Sequence, residues 1–199
     1  MQRPEHATEH ANGLGEVLLT LARGAIGTRL GVAVEAAAAH AALAAHGATF
    51  VTLHLEGSLR GCIGTLEAHR PLGVDVRANA VAAAFHDPRF APLSAHEFTA
   101  TAIEVSVLGP SEPMGARDER DALARLRPGV DGVILARGGR RATFLPQVWE
   151  QLPDPREFLA ALKRKAGLPG DFWDAHVTLA RYTVVKYAER EPRAAGAMS

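Results

Sequence analysis

The same order of secondary-structure signals (strand, strand, helix, strand) occurs twice along this sequence and restricts the folds it can adopt. The first set is two strands at 49–55 and 59–66, a helix beginning at 70 and a strand at 101–108. The second set is two strands at 132–135 and 142–145, a helix at 155–166 and a strand at 177–187. Alternating apolar and polar residues predict the strands, and turn residues separate the two strands of each hairpin. The halves share no convincing residue-by-residue identity, so the repeated order suggests an ancient duplication and no more.

The length and hydrophobic content favour one soluble globular domain, or two intimately packed lobes. The chain has 199 residues, of which 47% are hydrophobic, so it can bury a substantial core without a disulfide or a metal. We predict a polar tail at 1–12, a single domain of two lobes at 13–190 with a bridge near 110–128, and a second tail at 191–199. An amphipathic helix is expected at 14–30, and the alanine-rich stretch 35–46 is either a helix or a loosely held connection.

The charge balance and the absence of long apolar runs argue against several classes of protein. Lysine and arginine total 22, as do aspartate and glutamate, so the chain lacks the cationic excess typical of nucleic-acid-binding proteins. The first ten residues carry no apolar signal core, and no run of about 18 apolar residues could span a bilayer. Cys62 is the single cysteine, which fits a reducing compartment. We therefore expect a cytoplasmic protein without membrane association, for which nucleic acid is a poor candidate partner.

The alternation in the first hairpin predicts which of its side chains face each other. A three-residue loop at 56–58 would place every branched aliphatic residue of both strands on one face. The opposite face would then carry Thr52 across from Cys62, and His54 across from Arg60. In this register the thiol shares a polar surface with a permanent positive charge, which favours the thiolate form.

Cys62 lies between Gly61 and Gly64, and glycines at such positions indicate that something approaches the strand closely. That neighbour could be a ligand or another segment of the chain. Free cysteine is among the most buried residue types, so a small hydrophobic residue under a packed helix is the commoner role for it. The convergence of Arg60, His54 and Cys62 favours the functional interpretation, in which these residues and the two glycines line a pocket.

His86, Asp87 and Arg89 end the helix that follows the thiol strand and form a second group of candidates. His86 is a candidate catalytic base, Arg89 a candidate clamp for an anion, and Asp87 a candidate binding residue. A structural role explains them equally well, because a residue before proline ends a helix and Arg89 can pair with Asp87. The sequence leaves both alternatives open.

Three further polar residues are candidates for a site. Glu104, a candidate catalytic carboxylate, and Ser106 lie on the polar face of the strand at 101–108, although an exposed sheet face explains them as easily. Gln147 begins a helix after a strand, where free backbone N–H groups could meet a ligand. No histidine spacing typical of a metal site and no known cofactor fingerprint is present. We therefore predict no metal and leave the cofactor undefined.

Five segments carry a resemblance to a known family. They are Ala48-Thr49-Phe50-Val51-Thr52-Leu53, Leu59-Arg60-Gly61-Cys62-Ile63-Gly64, Asp87-Pro88-Arg89-Phe90, Glu104-Val105-Ser106-Val107-Leu108 and Leu145-Pro146-Gln147-Val148-Trp149. In order and spacing they resemble the AMMECR-one domain family, and the resemblance runs from residue 14 to residue 189. It implies an α+β fold with a curved, barrel-like, mostly antiparallel sheet flanked by helices and an internal strand-strand-helix-strand duplication.

Stand-alone members of this family in bacteria and archaea are called AmmeMemoRadiSam system protein A, which implies genomic association with a Memo-like protein and a radical-SAM protein. The resemblance supplies no reaction, and two hypotheses for function follow. In the first, the chain is a thiol-dependent enzyme or pathway component that uses Cys62 as a nucleophile or covalent carrier. Arg60 would then activate the thiol or bind an anion, and His54 or His86 would move protons. In the second, a non-catalytic chain binds a small molecule or docks on the Memo-like or radical-SAM protein.

Overall fold

The structure is a computed structural model that describes residues 6–190, with side-chain burial described from residue 13. The chain divides into two compact units. The first comprises the residues up to Val107 together with those from Val185 onward, and the second is Leu108–Val184. Of the predicted tails, 1–5 and 191–199 lie outside the described residues. The first helix begins at His6, within the segment predicted as the N-terminal tail.

The helices and strands are as follows, in chain order. They begin with α1 (His6–Leu30), β1 (His46–Leu55), β2 (Ser58–Gly64), β3 (Arg70–Pro71), α2 (Leu72–Phe85), α3 (Ala95–Ala100) and β4 (Thr101–Leu108). The second unit contributes β5 (Glu112–Pro113), α4 (Glu119–Arg125), β6 (Gly132–Arg137), β7 (Arg140–Phe144), α5 (Pro155–Lys165) and β8 (Thr178–Tyr182), and β9 (Val184–Ala188) follows. Short 3₁₀ turns lie at Ala41–Ala44 and Pro146–Glu150.

The sheets of the two units repeat one arrangement of strands. In the first unit the strands lie in the order β2-β1-β4-β9, with the short β3 beside β1, and in the second the order is β7-β6-β8-β5. Each sheet therefore has its hairpin on one side, then the strand that follows the long helix α2 or α5, then a further strand. Antiparallel pairing joins both hairpins, and β8 pairs antiparallel with β6 and β5. The predicted repeat of strand, strand, helix and strand is confirmed.

The expected barrel-like sheet is not found, although the α+β class with helices and antiparallel sheet is confirmed. The described strands form two separate sheets, each with two end strands, so neither closes on itself. The predicted single strand at 177–187 is divided at Thr183. Because β8 joins the second sheet and β9 the first, this segment contributes to two sheets instead of continuing one.

One core cluster lies between the first sheet and helices α1 and α2. The predicted amphipathic character of α1 is confirmed, because Val17, Leu18, Leu21 and Ala22 are buried and Leu14 packs partly buried against them; Ile26 is buried as well. The buried residues of α2 include three alanines, Ala80, Ala83 and Ala84, whose small side chains allow its backbone to approach the sheet. Val51, Leu53, Ile103 and Val105 complete the cluster from β1 and β4. The non-core faces of these strands consequently carry their polar residues.

The first hairpin has the predicted pairing near the thiol and a different turn. Val51 pairs with Ile63, Thr52 with Cys62 and Leu53 with Gly61, as predicted. The loop, however, contains only two residues, because Leu55 pairs with Ser58 and His54 with Leu59. Both loop residues, Glu56 and Gly57, have positive φ angles, which is the geometry of the tight turn that matches strand twist. A bulge at Arg60 then restores the register, so the predicted pairing of His54 with Arg60 is wrong.

Two other segments carry predictions, the bridge at 110–128 and the open choice between helix and connection at 35–46. Residues 110–128, predicted as a bridge, lie within the second unit, where Met114, Ala122 and Leu126 are buried in its core cluster. Of the two alternatives for 35–46, the structure has the connection, which is irregular except for the 3₁₀ turn Ala41–Ala44 and the start of β1, because its alanines offer little apolar area for a helix to bury. In the part of the chain that the structure describes, no helix combines the length and apolarity that crossing a bilayer requires.

Candidate functional site

The backbone of Cys62 is held by two side chains from the Asp87-Pro88-Arg89 turn. Asp87 Oδ2 accepts a hydrogen bond from the Cys62 N–H at 2.9 Å, and Arg89 Nη2 donates to the Cys62 carbonyl at 3.4 Å. Strand β2 is an end strand of its sheet, so these backbone groups have no further strand to pair with. The two side chains take the place of that strand and fix the position of the cysteine.

Asp87 and Arg89, which together form a clamp on the Cys62 backbone, are also a tight ion pair. Arg89 donates from Nε to Asp87 Oδ1 at 2.9 Å and from Nη2 to Oδ2 at 2.6 Å, and the Arg89 backbone N–H also donates to Oδ1. The Asp87 side chain is 2% exposed and that of Arg89 52% exposed. The hydrogen bonds from the guanidinium hold the pKa of Asp87 well below its usual range, and the same bonds raise the pKa of Arg89. Asp87 therefore stays ionised and acts as an acceptor at every physiological pH.

Arg60, on the bulge of β2, is engaged with a carboxylate of helix α3. Its Nε donates to Glu97 Oε1 at 2.9 Å and its Nη2 to Glu97 Oε2 at 3.2 Å, while Glu97 also caps α3 through Ser94. The hydrogen bond from Arg60 is the main cause that lowers the pKa of Glu97, to about 2. Phe90 lies 5.8 Å from the Arg60 guanidinium and 5.4 Å from that of Arg89. The charges of Arg60 and Arg89, the two cations near Cys62, are thus neutralised by carboxylates of the fold. Arg60 Nη1, however, is buried without a hydrogen-bond partner among the described residues.

The thiol itself is less constrained than the backbone that carries it. Cys62 is free and half-buried, and it lies on the non-core face of the sheet with its strand partner Thr52. The Thr52 hydroxyl donates to Sγ at 3.3 Å. Of the side chains that the structure describes, Thr52 is the one that hydrogen-bonds to this sulfur.

The two glycines around Cys62 are explained by close approach within the fold. A Cβ at Gly61 would overlap the carbonyl oxygen of Ala83, because the backbone of α2 rests directly on β2 at this point. A Cβ at Gly64 would overlap the ring of Phe50, its partner on β1. The close neighbour that the glycines indicate is therefore another segment of the chain, and this packing is sufficient to explain Gly61 and Gly64.

Comparison with known proteins places the chain in a family. A sequence model described as AMMECR1 matches residues 19–187. The chain belongs to the AMMECR1 family. It is 44% identical to a protein of Thermotoga maritima over 140 residues, which are 69% of this chain and 75% of that one. A protein of Methanothermobacter thermautotrophicus is 43% identical over 135 residues, 67% of this chain and 70% of the other.

A solved structure is also similar. It is the crystal structure of an uncharacterised protein from Pyrococcus horikoshii, with a TM-score of 0.78 and 34% identity, and the match covers 90% of this chain and 93% of that one. The names of these AMMECR1 relatives state no activity.

The other predicted site residues of this AMMECR1 chain are not gathered around the thiol. His86 is exposed at the end of α2, and His54 is a half-buried residue of β1; neither hydrogen-bonds to Cys62. Glu104 lies 3.7 Å from Lys186 of β9, and buried Ser106 donates to Glu104 at 3.4 Å. This ion pair across neighbouring strands explains Glu104 without a catalytic role.

Gln147 lies in the 3₁₀ turn Pro146–Glu150 of the second unit, next to the buried Trp149. Trp149 donates to the Asp131 carbonyl at 2.8 Å and stacks on Phe158 with ring centres 3.7 Å apart. The turn is thus anchored as part of the second core cluster. Among residues 6–190, no three histidine, cysteine or acidic side chains cluster as a metal site would require.

A buried polar network that the sequence patterns do not predict lies at the end of β2. Asp75, fully buried in α2, accepts hydrogen bonds from the Thr49 N–H and hydroxyl, from Thr65 and from Arg70, at 2.7 to 2.8 Å. Asn79 donates to the same carboxylate and to the Thr49 carbonyl. The network joins α2 to the start of β1 and the end of β2. A polar pair four residues apart on the buried face of an apolar helix is the signal that could have revealed it.

Proposed function

We propose that Cys62 is the functional group of this AMMECR1 chain and acts as a nucleophile or covalent carrier. The observation that supports this most is the contrast between the thiol and its surroundings. The backbone of Cys62 is fixed by Asp87 and Arg89, while the half-buried sulfur has, among residues 6–190, the Thr52 hydroxyl as its one hydrogen-bond donor. Nucleophilic catalysis needs a nucleophile that is held in place, and a fixed backbone that carries a half-buried sulfur meets that need.

A covalent step at this site balances without a protein base. The thiol proton passes to solvent, because no described histidine or carboxylate hydrogen-bonds to Sγ, and Thr52 then donates to the thiolate. The thiolate attacks the acyl carbon of a donor, an S–C bond forms, and the leaving group departs with the bonding electron pair. The same proposal assigns the chain to the reducing cytoplasm, where a single cysteine remains available as a thiol.

Acyl transfer to the folded protein tests the proposal. The protein is incubated with the acetyl thioester of a small thiol, and mass spectrometry of the intact protein measures the rate at which one acetyl group is added. We expect Cys62→Ala to remove the addition. Thr52→Val should slow it about fivefold, the effect of one lost hydrogen bond, while Thr52→Ser should retain the rate. Equal acetylation of Cys62→Ala, or an unchanged rate in Thr52→Val, would contradict the proposal.

The second candidate is the non-catalytic role as a small-molecule-binding or docking partner of a Memo-like and a radical-SAM protein. One observation favours it: the arginines nearest to the thiol are already paired, Arg60 with Glu97 and Arg89 with Asp87. Substitutions at the glycines cannot test docking, because they would disturb the fold. Leu59, near the start of β2, is 44% exposed, and Leu66, just after its end, is 40% exposed, so each is a separate candidate for an apolar contact with a partner.

Co-purification of the chain with each of the two expected partners separates the candidates. Under the docking hypothesis, Cys62→Ser retains the partner, while Leu59→Asp and Leu66→Asp lose it. Exposed Val74, 53% exposed on α2, supplies the matched control, and Val74→Asp should retain the partner. Retention of the partner by both leucine variants would exclude docking through either leucine, and failure of the unsubstituted chain to capture either protein would remove the docking role.

A further inference from the structure

The second unit contains a cleft that the proposed chemistry of Cys62 does not use. Its volume is about 1010 Å³, and it lies between α4, α5 and the loop that leads to Trp173. This size is comparable to that of small-molecule sites, which are typically about 300–1,000 Å³. The first residues of both helices contribute to its walls, as does Trp173, which is partly buried and packs against the second core cluster. The cleft therefore has room, charge and an aromatic surface in one place.

Three of the charged groups at this cleft are committed to the fold. The carboxylate of Asp118 caps α4, and that of Asp154 caps α5 by accepting the Arg156 N–H at 2.7 Å. Glu119 accepts a hydrogen bond at 2.7 Å from Lys163, whose side chain is fully buried and whose Nζ lies 6.0 Å from the Trp173 ring. These carboxylates have structural partners and need no ligand.

Three other charged groups have no such commitment. Arg120, Arg156 and Asp171 line the cleft and are exposed, and their side chains form no hydrogen bond or ion pair with any residue in the described range 6–190. Arg156 also lies in the first turn of the eleven-residue helix α5, where the helix dipole disfavours a cation. Helix stability therefore does not explain its position.

We propose that this cleft binds a nucleoside monophosphate, with Arg120 and Arg156 on the phosphate, Trp173 beneath the base and Asp171 accepting from the sugar hydroxyls or a ring amino group. Guanidinium groups bind phosphate through paired, charge-assisted hydrogen bonds. An indole ring stacks on nucleobases. A carboxylate without a protein donor accepts hydroxyl or amino protons. Each of the charged groups without a partner in the fold is thus matched to one part of the ligand. The proposed site does not depend on the chemistry of Cys62.

Calorimetric titration of the full chain with adenosine monophosphate, adenosine and inorganic phosphate tests this assignment. We expect saturable binding of adenosine monophosphate below about 1 mM, and binding of adenosine or phosphate alone at least about tenfold weaker. Arg120→Gln and Arg156→Gln should each raise the dissociation constant about tenfold. Arg77→Gln is the matched control, since Arg77 is an exposed arginine of the first unit, and it should leave the constant unchanged.

Several outcomes would overturn the proposal. The first is that adenosine monophosphate shows no saturable binding at 10 mM, about tenfold above the expected limit. The second is that inorganic phosphate alone binds as tightly as adenosine monophosphate. The third is that both arginine variants bind adenosine monophosphate as tightly as the original protein does. Trp173→Leu examines the stacking contribution and should weaken adenosine monophosphate without weakening phosphate. If Trp173→Leu does not fold, as judged by its circular dichroism, the two arginine variants still decide the question, because both side chains are exposed.

Discussion

Replacing Asp87 with asparagine removes the charge that holds the strand carrying Cys62. In the structure this carboxylate accepts from the Cys62 N–H and from Nε, Nη2 and the backbone N–H of Arg89, at distances between 2.6 and 3.1 Å. Asparagine keeps one acceptor oxygen and turns its amide group towards these donors. The Cys62 N–H or the guanidinium therefore loses its partner.

The expected cost follows from these contacts. A hydrogen bond to a charged group contributes about 1.5–3 kcal/mol, and breaking a buried ion pair costs about 3–5 kcal/mol. Because the Arg89 side chain is 52% exposed, water can solvate much of the guanidinium once its partner is lost. We therefore expect Asp87→Asn to lower the free energy of unfolding by about 2–3 kcal/mol at pH 7. Asp171→Asn, an exposed substitution of the same type, should change it by less than about 0.5 kcal/mol.

Urea unfolding at several pH values provides the assay. Arg89 depresses the pKa of Asp87 in the folded state, so the stabilisation is fully present above the unfolded pKa of about 3.9 and is lost as the pH falls towards the folded pKa. The difference between the original protein and Asp87→Asn should stay constant from pH 8 to about pH 5 and narrow below about pH 4. Equal stability at pH 7, or a difference that does not narrow in acid, would refute the reasoning.

Two further predictions concern packing and the buried lysine. Gly61→Ala should lower the free energy of unfolding by about 3 kcal/mol or prevent folding, because the new Cβ overlaps the Ala83 carbonyl, whereas Gly139→Ala, with open space around it, should be neutral in the same urea titration. Glu119→Ala should lower the free energy of unfolding by about 1–3 kcal/mol, since it leaves the fully buried Lys163 ammonium without its ion-pair partner. The cost is moderate because the Glu119 side chain is itself 37% exposed. Lys163→Met should be neutral or stabilising, and a thermal melt that reverses this order would contradict the interpretation.

Local patterns explain why much of the fold could be predicted from the sequence. The alternation of Val51, Leu53 and Ile63 with polar residues is strong, and burial of one sheet face leaves a single acceptable register near Cys62. The turn differs from the predicted three-residue loop because Glu56 adopts a positive φ, which is uncommon for a residue other than glycine. The bulge at Arg60 that compensates for the shorter loop has no signal of its own in the alternation.

The candidate site was less predictable because its contacts join distant parts of the chain. Asp87 reaches Cys62 across 25 residues, and Arg60 reaches Glu97 across 37. Sequence identified Cys62, Arg60, Asp87 and Arg89 as residues of interest, but local patterns do not indicate which charges will neutralise each other. The division of the last predicted strand at Thr183 could not be predicted for the same reason. Which sheet each part joins depends on tertiary packing and not on the local pattern.

The rate of Cys62 alkylation by iodoacetamide, measured in the folded protein and in urea at the same pH, tests the proposed role of the thiol most directly. A half-buried thiol without activation reacts more slowly when folded, because burial restricts access. We predict faster reaction in the folded protein, since Thr52 donates to the sulfur and the clamp holds it on the strand. A cysteine-containing peptide in both solvents corrects for the effect of urea. Slower alkylation of the folded protein after this correction would identify Cys62 as a structural cysteine and contradict the proposal.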